Sequence, residues 1–388
     1  MADHIDQLPE TEIGQPSMHR EWINVIPEIP DDGPRPGSGT PLEYSTLDIS
    51  PGIRPKGIRL FQRGLPASMK KQFWTAFLLT LAVPALLTLN FCVSTVGKGE
   101  ASAFYNRGLM STNRGDYDTA IAEFTEAIII DPEYTDAYMN RASAYRSKGN
   151  MEKAIADYSE VIKLDPKNVK AYYNRGAAYF SRGDIDNSLA DYSRAIVLDP
   201  KDPTTYNARG NVYRAKADYN NAIADYTAAI ELNPKDVQAY NARGSAYYYK
   251  RAYDNAIADY SQTIKLDPKN IMAYYNRGIM YFAKGDTEKS LADYSQAIIL
   301  DPKGAAAYNG RGNVYRARGD MDNAIKDYTQ TITLDPKNTD AYNNRGTAYR
   351  AKGDIDSAIA DYEMVLLLDP NYPTAKTLLD FAKRSRSQ

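Results

Sequence analysis

An Asp-Pro or Asn-Pro dipeptide recurs every 34 residues through most of this chain. It begins at residues 131, 165, 199, 233, 267, 301, 335 and 369. A self-similarity of this period is typical of arrays in which each unit is a helix–turn–helix. Because one such unit cannot bury its apolar face alone, each repeat must stack on its neighbours. The spacing therefore predicts an all-α fold.

Each repeat also places small and large residues in register. With Ala101 counted as position 1 of the first repeat, small residues recur at positions 8 and 20, and large ones at positions 4, 11 and 24. Repeat 3 shows the pattern as Tyr172, Gly176, Tyr179, Ser188, Tyr192, Ala195 and Pro200. These residues resemble the tetratricopeptide repeat, and the resemblance runs through eight units over residues 101–372. It implies a right-handed α-solenoid, closed by one further helix over residues 373–388.

The turn between the two helices of a repeat has its own signal. Gly occupies position 15 in six repeats, where it is expected to end the first helix. Asp at position 16, as in Asp184 and Asp354, is expected to cap the second helix. Repeats 4 and 5 carry Ala217 and Arg251 in place of the glycine, so their turns are expected to be less tight.

An arginine at position 7 is followed sixteen residues later by an acid in every repeat. Arg107 is followed by Glu123, and Arg141, Arg175, Arg209, Arg243, Arg277, Arg311 and Arg345 are followed by Asp157, Asp191, Asp225, Asp259, Asp293, Asp327 and Asp361. In the tetratricopeptide family these two positions lie on facing surfaces of the two helices and commonly hold Leu and a bulky apolar residue. A buried guanidinium is costly alone but tolerable in a bidentate pair with a carboxylate. We therefore interpret the arginines as structural residues, not as ligand-binding residues.

Positions 2, 5, 9 and 12 lie on one line along the first helix, because they are spaced by three, four and three residues. By resemblance to the family, this line faces a concave groove in which extended peptides or partner helices bind. The residues predicted to contact a partner there are Arg146, Tyr173, Phe180, Asn207, Asn211, Arg214, Asn241, Tyr248, Tyr275, Phe282, Asn309, Asn313, Arg316, Asn343 and Arg350. Asn amides suit a peptide backbone, Arg suits carboxylates, and Tyr and Phe suit apolar side chains.

The repeats are themselves arranged in a block of three. Repeats 3 and 6 are identical at 22 of 34 positions and repeats 4 and 7 at 20, whereas repeats 3 and 4 are identical at only 15. The array is therefore interpreted as a three-repeat block copied in tandem with a period of 102 residues. Duplication alone is the alternative explanation for the groove pattern, and in that case many of the groove residues are merely solvated.

Residues 1–68 have a different composition from the repeats. They contain ten Pro and seven Gly and hold too little apolar surface to offset the entropy of ordering, which predicts a disordered tail. The short apolar sequence WINVIPEIP at residues 22–30 is either a docking motif for a partner or an incidental cluster.

Residues 73–96 run 24 positions without a charge, which is long enough to cross a bilayer. Six basic residues within 51–72 precede them and predict that the N-terminal side stays in the cytoplasm. Residues 69–98 are therefore predicted to be a transmembrane signal-anchor, with the array on the outer, periplasmic side of an inner membrane. The alternative reading starts at Met69 and treats the segment as a secretory signal peptide cleaved after Ala103, which yields an exported soluble array.

The residues that most catalytic and metal sites need are nearly absent. His4 and His19 are the only histidines and both lie in the tail, so the array can build neither a His-dependent triad nor a His-based metal site. Residues 97–388 balance at 39 basic and 39 acidic residues, whereas nucleic-acid binders carry a basic face. The sequence therefore argues against an enzyme, a cofactor, a metal and a nucleic-acid partner.

The remaining prediction is a non-enzymatic, membrane-tethered scaffold that binds protein or peptide partners in its groove. Resemblance to envelope tetratricopeptide proteins with similar NRG-type repeats implies a bacterial cell envelope. The alternative is a polysaccharide-export or envelope-assembly accessory protein whose groove tyrosines stack on sugars.

Overall fold

The computed structural model describes residues 83–386, with side chains from Lys98 onward. The predicted tail and residues 69–82 lie outside this range. Within it the chain forms seventeen α-helices and no strand, which confirms the all-α prediction for these residues. The helices are α1 Val83–Asn113, α2 Tyr117–Ile130, α3 Thr135–Ser147, α4 Met151–Leu164, α5 Val169–Ser181, α6 Ile185–Leu198, α7 Pro203–Ala215, α8 Tyr219–Leu232, α9 Val237–Tyr249, α10 Tyr253–Leu266, α11 Ile271–Ala283, α12 Thr287–Leu300, α13 Ala305–Ala317, α14 Met321–Leu334, α15 Thr339–Ala351, α16 Ile355–Leu368 and α17 Ala375–Arg386.

The helices fall into two compact units that divide between Ala137 and Tyr138. In the first unit α1 packs against α2, and the buried ring of Phe124 fills the space beside Gly108. In the second unit every helix from α4 to α16 packs on the next helix along the chain. This order of contacts is that of a solenoid, in which each repeat buries its apolar face on its neighbours.

Helix α1 joins two segments that differ in sequence. It runs unbroken from Val83 to Asn113, so residues 83–96 of the predicted membrane span and the first helix of repeat 1 form one element. The rest of that span, residues 73–82, lies outside the described residues. None of the helices described from residue 83 onward has the length and apolar character needed to cross a membrane.

The turns within the repeats adopt the same conformation with or without glycine at position 15. Gly at position 15 has a left-handed φ of 76–83° in all six repeats that carry it. Ala217 and Arg251 adopt the same conformation, with φ of 60° and 58°. The turn closes with the same bond, since Asp218 N lies 2.9 Å from Tyr213 O. The expectation of looser turns in repeats 4 and 5 is therefore wrong, because packing of the helices imposes the turn and the side chain accepts strain of about 1 kcal/mol.

The second helices begin at caps that the sequence predicts. Asp184 accepts a hydrogen bond from Asn187 N, and Asp354 accepts one from Ser357 N at 3.1 Å. Repeat 5 is the exception, because Ala252 occupies the cap position of α10 and makes no side-chain bond. The inner turn of repeat 5 therefore lacks both the glycine and the cap.

The position-7 arginines are scaffold residues, as predicted. In repeats 2–8 each guanidinium makes two parallel hydrogen bonds of 2.7–2.9 Å to its position-23 aspartate. Arg107 makes one bond of 2.9 Å to Glu123 in repeat 1. Hydrogen bonding to Asp191 raises the pKa of Arg175, so the guanidinium stays charged. These pairs join the two helices of a repeat in a fixed register.

The same arginines also join neighbouring repeats, which the sequence reasoning missed. The third guanidinium nitrogen donates to a hydroxyl at position 25 of the preceding repeat, for example from Arg277 Nη1 to Ser261 Oγ at 2.9 Å. The arginines of repeats 3–8 donate to acceptors in repeats 2–7, which are Ser159, Ser193, Thr227, Ser261, Ser295 and Thr329. The sequence contains a signal for this bond. Position 25 is Ser or Thr in each of repeats 1–7, and each of these repeats is followed by one with an arginine at position 7.

Candidate partner-binding surface

The surface defined here consists of positions 5, 9 and 12 on the first helices α3, α5, α7, α9, α11, α13 and α15. Fourteen of the fifteen residues predicted to contact a partner are partly exposed on it. Tyr173 is fully buried, and its ring packs edge-on against Tyr192 with 5.5 Å between centroids. The expectation that Tyr173 lies on an exposed line is therefore wrong, because its ring packs against Tyr192 and is excluded from solvent.

Position 9 supports the interior of the repeat. The buried tyrosine at position 24 donates its hydroxyl to Asn211 in repeat 4 and to Asn313 in repeat 7, at 2.8 Å in both cases. Ser143 and Thr347 meet the equivalent hydroxyls in repeats 2 and 8 at 3.2 and 3.3 Å. The amide oxygens of Asn211 and Asn313 are thus engaged inside the protein, and only the amide nitrogens remain for a partner.

Position 5 carries asparagine in repeats 4, 5, 7 and 8. The side-chain oxygens of these residues are shielded from solvent and have no hydrogen-bond partner in the described part of the chain; they belong to Asn207, Asn241, Asn309 and Asn343. The nitrogen of Asn207 donates to Asp236 at 2.6 Å, which fixes the orientation of that amide. A shielded acceptor without a donor costs about 1–3 kcal/mol, and each of these oxygens belongs to a partly exposed side chain.

Position 12 of repeats 2–8 holds either an aromatic residue or an arginine. Phe180, Tyr248 and Phe282 are partly exposed aromatic side chains, and the ring of Tyr248 lies 5.3 Å from that of Tyr249. Arg214 Nε donates to the hydroxyl of Tyr226 at 3.3 Å. Arg350 lies over the ring of Phe381 on the last helix, 5.2 Å from its centroid. Arg146 holds the same position in repeat 2 and is partly exposed.

The charge of this surface is positive through repeats 3–8. Positions 5, 9 and 12 of these repeats hold the arginines Arg214, Arg316 and Arg350 and no acid. Burial raises the pKa of Tyr226 and Tyr328 to about 12, so these phenols remain neutral and leave the adjacent arginine charge uncompensated. No group of three or more metal-ligating side chains occurs among residues 98–386. The surface is thus suited to binding an extended ligand with carboxylates.

Models of known families match most of the repeats. The family model described as "TPR repeat" matches residues 142–181, 176–216, 210–250, 244–283, 279–315 and 312–349. Models described as "Tetratricopeptide repeat" match residues 101–134 and 339–372. No curated protein matches the chain.

Several solved structures are similar to this chain. A tetratricopeptide repeat protein from Parabacteroides merdae is 21% identical, with a TM-score of 0.50 over 64% of this chain and 98% of that one. YrrB, described as a TPR protein with an unusual peptide-binding site, is 26% identical, with a TM-score of 0.42 over 47% of this chain and 95% of that one. The APC/C hetero-tetramer Cut9–Hcn1 is 20% identical, with a TM-score of 0.47 over 69% of this chain, and the match spans 52% of that chain.

Proposed function

Because the chain belongs to the tetratricopeptide repeat family, we propose that it is a non-enzymatic scaffold which binds protein or peptide partners along positions 5, 9 and 12 of its first helices. The observation that carries this proposal is the row of partly exposed asparagine side chains at position 5, whose oxygens have no hydrogen-bond partner in the described part of the chain. The backbone of an extended peptide offers N–H donors, and the acceptors recur on the first helices of repeats 4, 5, 7 and 8. The flanking arginines and aromatic residues then select the side chains of the peptide.

Site-specific photocrosslinking tests where partners bind. A benzophenone amino acid is placed at Phe282 on the proposed surface, and in a matched variant at Ile299, which is 69% exposed on the second helix of the same repeat. We expect a saturable crosslink to a protein from Phe282 and none from Ile299, in cells that produce the full chain. Equal yields from both positions would contradict the proposal.

A second candidate function is binding of an envelope glycan, as an accessory in polysaccharide export. It is favoured by the aromatic cluster of repeats 4 and 5, in which Tyr219 and Tyr249 stack at 5.0 Å with an angle of 6° between rings. Tyr249 is exposed, and stacking on sugar rings uses such faces. Isothermal titration with envelope oligosaccharides separates the candidates, because a peptide scaffold gives no heat with glycans.

We also propose that residues 73–96 tether the array to the inner membrane of a bacterial envelope and place it on the periplasmic side. The support is the uncharged run of 24 residues and the six basic residues that precede it. N-terminal sequencing of the mature protein tests the tether. A mature protein that retains residues 73–96 is expected, whereas a start at Phe104 means a cleaved signal and an exported soluble array.

A further inference from the structure

The three-repeat block seen in the sequence produces two matched copies of one local structure. In repeats 3 and 6, the position-5 and position-24 tyrosines meet edge-on, with centroid distances of 5.5 Å for Tyr173–Tyr192 and 5.7 Å for Tyr275–Tyr294. The angles between the rings are 66° and 64°. The copies therefore agree in the geometry of this ring pair as well as in sequence.

The agreement continues into the next repeat of each copy. Tyr226 and Tyr328 donate to Asn211 and Asn313 at the same distance of 2.8 Å. The position-5 oxygens of both repeats are shielded and unpaired, and so are those of the repeat that follows in each copy. Duplication without function is not expected to preserve four costly unpaired acceptors at equivalent places.

Each copy offers a partner the same pair of side chains. Phe180 on α5 is followed by Arg214 on α7, and Phe282 on α11 is followed by Arg316 on α13. The first helices of these neighbouring repeats approach each other in both copies. An aromatic ring and an arginine on adjacent helices fit a short peptide that carries one apolar residue and one carboxylate.

We propose that the array has two equivalent sites, centred on Phe180 with Arg214 and on Phe282 with Arg316, and that each site takes the same short acidic peptide motif in an extended conformation. This inference rests on the proposed function and adds its stoichiometry and the chemistry of the partner. A natural partner then carries the motif twice, because two linked motifs on one array bind far more tightly than either alone.

The acidic character follows from charge complementarity. Arginine recurs at position 12 in both copies, and no acid stands at positions 5, 9 or 12 of repeats 3–8. The nearest carboxylate to Asn207, that of Asp236, is already bound by the Asn207 amide and by the backbone N–H groups of Gln238 and Ala239. Positions 5, 9 and 12 of both copies therefore carry a net positive charge.

The test uses 15-residue peptides selected from a random phage-displayed library on the immobilised full chain. Their binding stoichiometry is then measured by isothermal titration with the full chain in detergent. Arg214→Gln, Arg316→Gln and the double variant remove the arginine of one site, the other site and both. Lys201→Gln and Lys303→Gln are matched controls, because these exposed lysines lie 102 residues apart and use only their backbone N–H groups in hydrogen bonds.

Two equal sites per chain are expected, for peptides enriched in Asp and Glu. Each single arginine variant should leave one site intact and weaken the other about tenfold, while the lysine controls keep both. One peptide per chain, or loss of both sites on a single arginine substitution, overturns the duplicated site but leaves the scaffold function standing. Selected peptides without acids overturn the proposed chemistry. Failure to select any peptide overturns the proposed function itself.

Discussion

Repeats 3 and 6 hold their central tyrosine differently from repeats 4 and 7, although the backbones and the arginine–aspartate pairs are the same. In repeats 3 and 6 a Cβ atom added at the position-8 glycine would lie 3.3 Å from the tyrosine ring, as at Gly176 and Gly278. In repeats 4 and 7 the same distance is 2.7–2.8 Å, as at Gly210 and Gly312. The ring therefore sits deeper against the first helix in the polar repeats.

The difference has a local cause. In repeats 3 and 6 the position-5 tyrosine packs on the ring, and position 9 is apolar, so position 9 offers the hydroxyl no hydrogen-bond partner. A Cβ atom at Gly310 would lie only 2.6 Å from Tyr294, which shows how far that ring extends into repeat 7. In repeats 4 and 7 asparagine at position 9 instead binds the hydroxyl. The residues that vary on the partner-binding surface thus also adjust the interior.

The largest expected effect comes from the feature that the two kinds of repeat share. Arg277→Leu should destabilise the array by about 3 kcal/mol, because it leaves the buried carboxylate of Asp293 without its cation. Hydrogen bonding to Asp293 raises the pKa of Arg277, so the pair is charged at neutral pH. Urea denaturation followed by circular dichroism measures the loss.

The control for this substitution is the double variant Arg277→Leu with Asp293→Leu. It should recover most of the stability, because two apolar residues can replace the pair without an unpaired buried charge. A double-mutant cycle with no coupling between the two residues would overturn the structural role of the arginine.

The next prediction tests whether the tyrosine ring lies closer to the first helix in repeat 7 than in repeat 6. Gly312→Ala should destabilise by about 2 kcal/mol, since its methyl group would lie 2.8 Å from the buried ring of Tyr328. Gly278→Ala is the matched control in repeat 6, where 3.3 Å of space and the better helix propensity of Ala make the change nearly neutral. Equal urea midpoints for the two variants would show that the rings sit at the same depth.

A smaller effect separates the two ways of satisfying the tyrosine hydroxyl. Asn313→Ala should cost about 1 kcal/mol, because it removes the partner of Tyr328 at 2.8 Å. The same substitution in a Tyr328→Phe background should cost much less, and the difference in unfolding free energy gives the strength of the bond. If Asn313→Ala costs the same in both backgrounds, the asparagine has no role in supporting the ring.

Most of the fold could be predicted because it depends on residues that recur. The Asp184 cap depends on local sequence. The 34-residue period and the Arg277–Asp293 type of pair recur from repeat to repeat, so each pattern can be checked several times within one sequence. The depth of the tyrosine ring and the burial of Tyr173 could not be predicted in this way. They depend on which side chains pack against or bind one tyrosine within a repeat, and a 34-residue period does not specify that packing.

The smallest expected effect concerns the inner turn, where the two three-repeat copies differ most. Repeat 8 has Gly353 and Asp354 at this turn, whereas repeat 5 has Arg251 at a φ of 58° and the uncapped Ala252. Arg251→Gly should stabilise the array by about 0.5–1 kcal/mol, because glycine adopts the left-handed conformation without strain.

Ala252→Asp should add a comparable gain by capping α10, and native-state hydrogen exchange should place both gains in repeat 5. Gly353→Ala is the reverse control and should lose about 1 kcal/mol in repeat 8. If Arg251→Gly instead lowers stability, the Arg251 side chain makes a contact whose loss outweighs the relief of backbone strain.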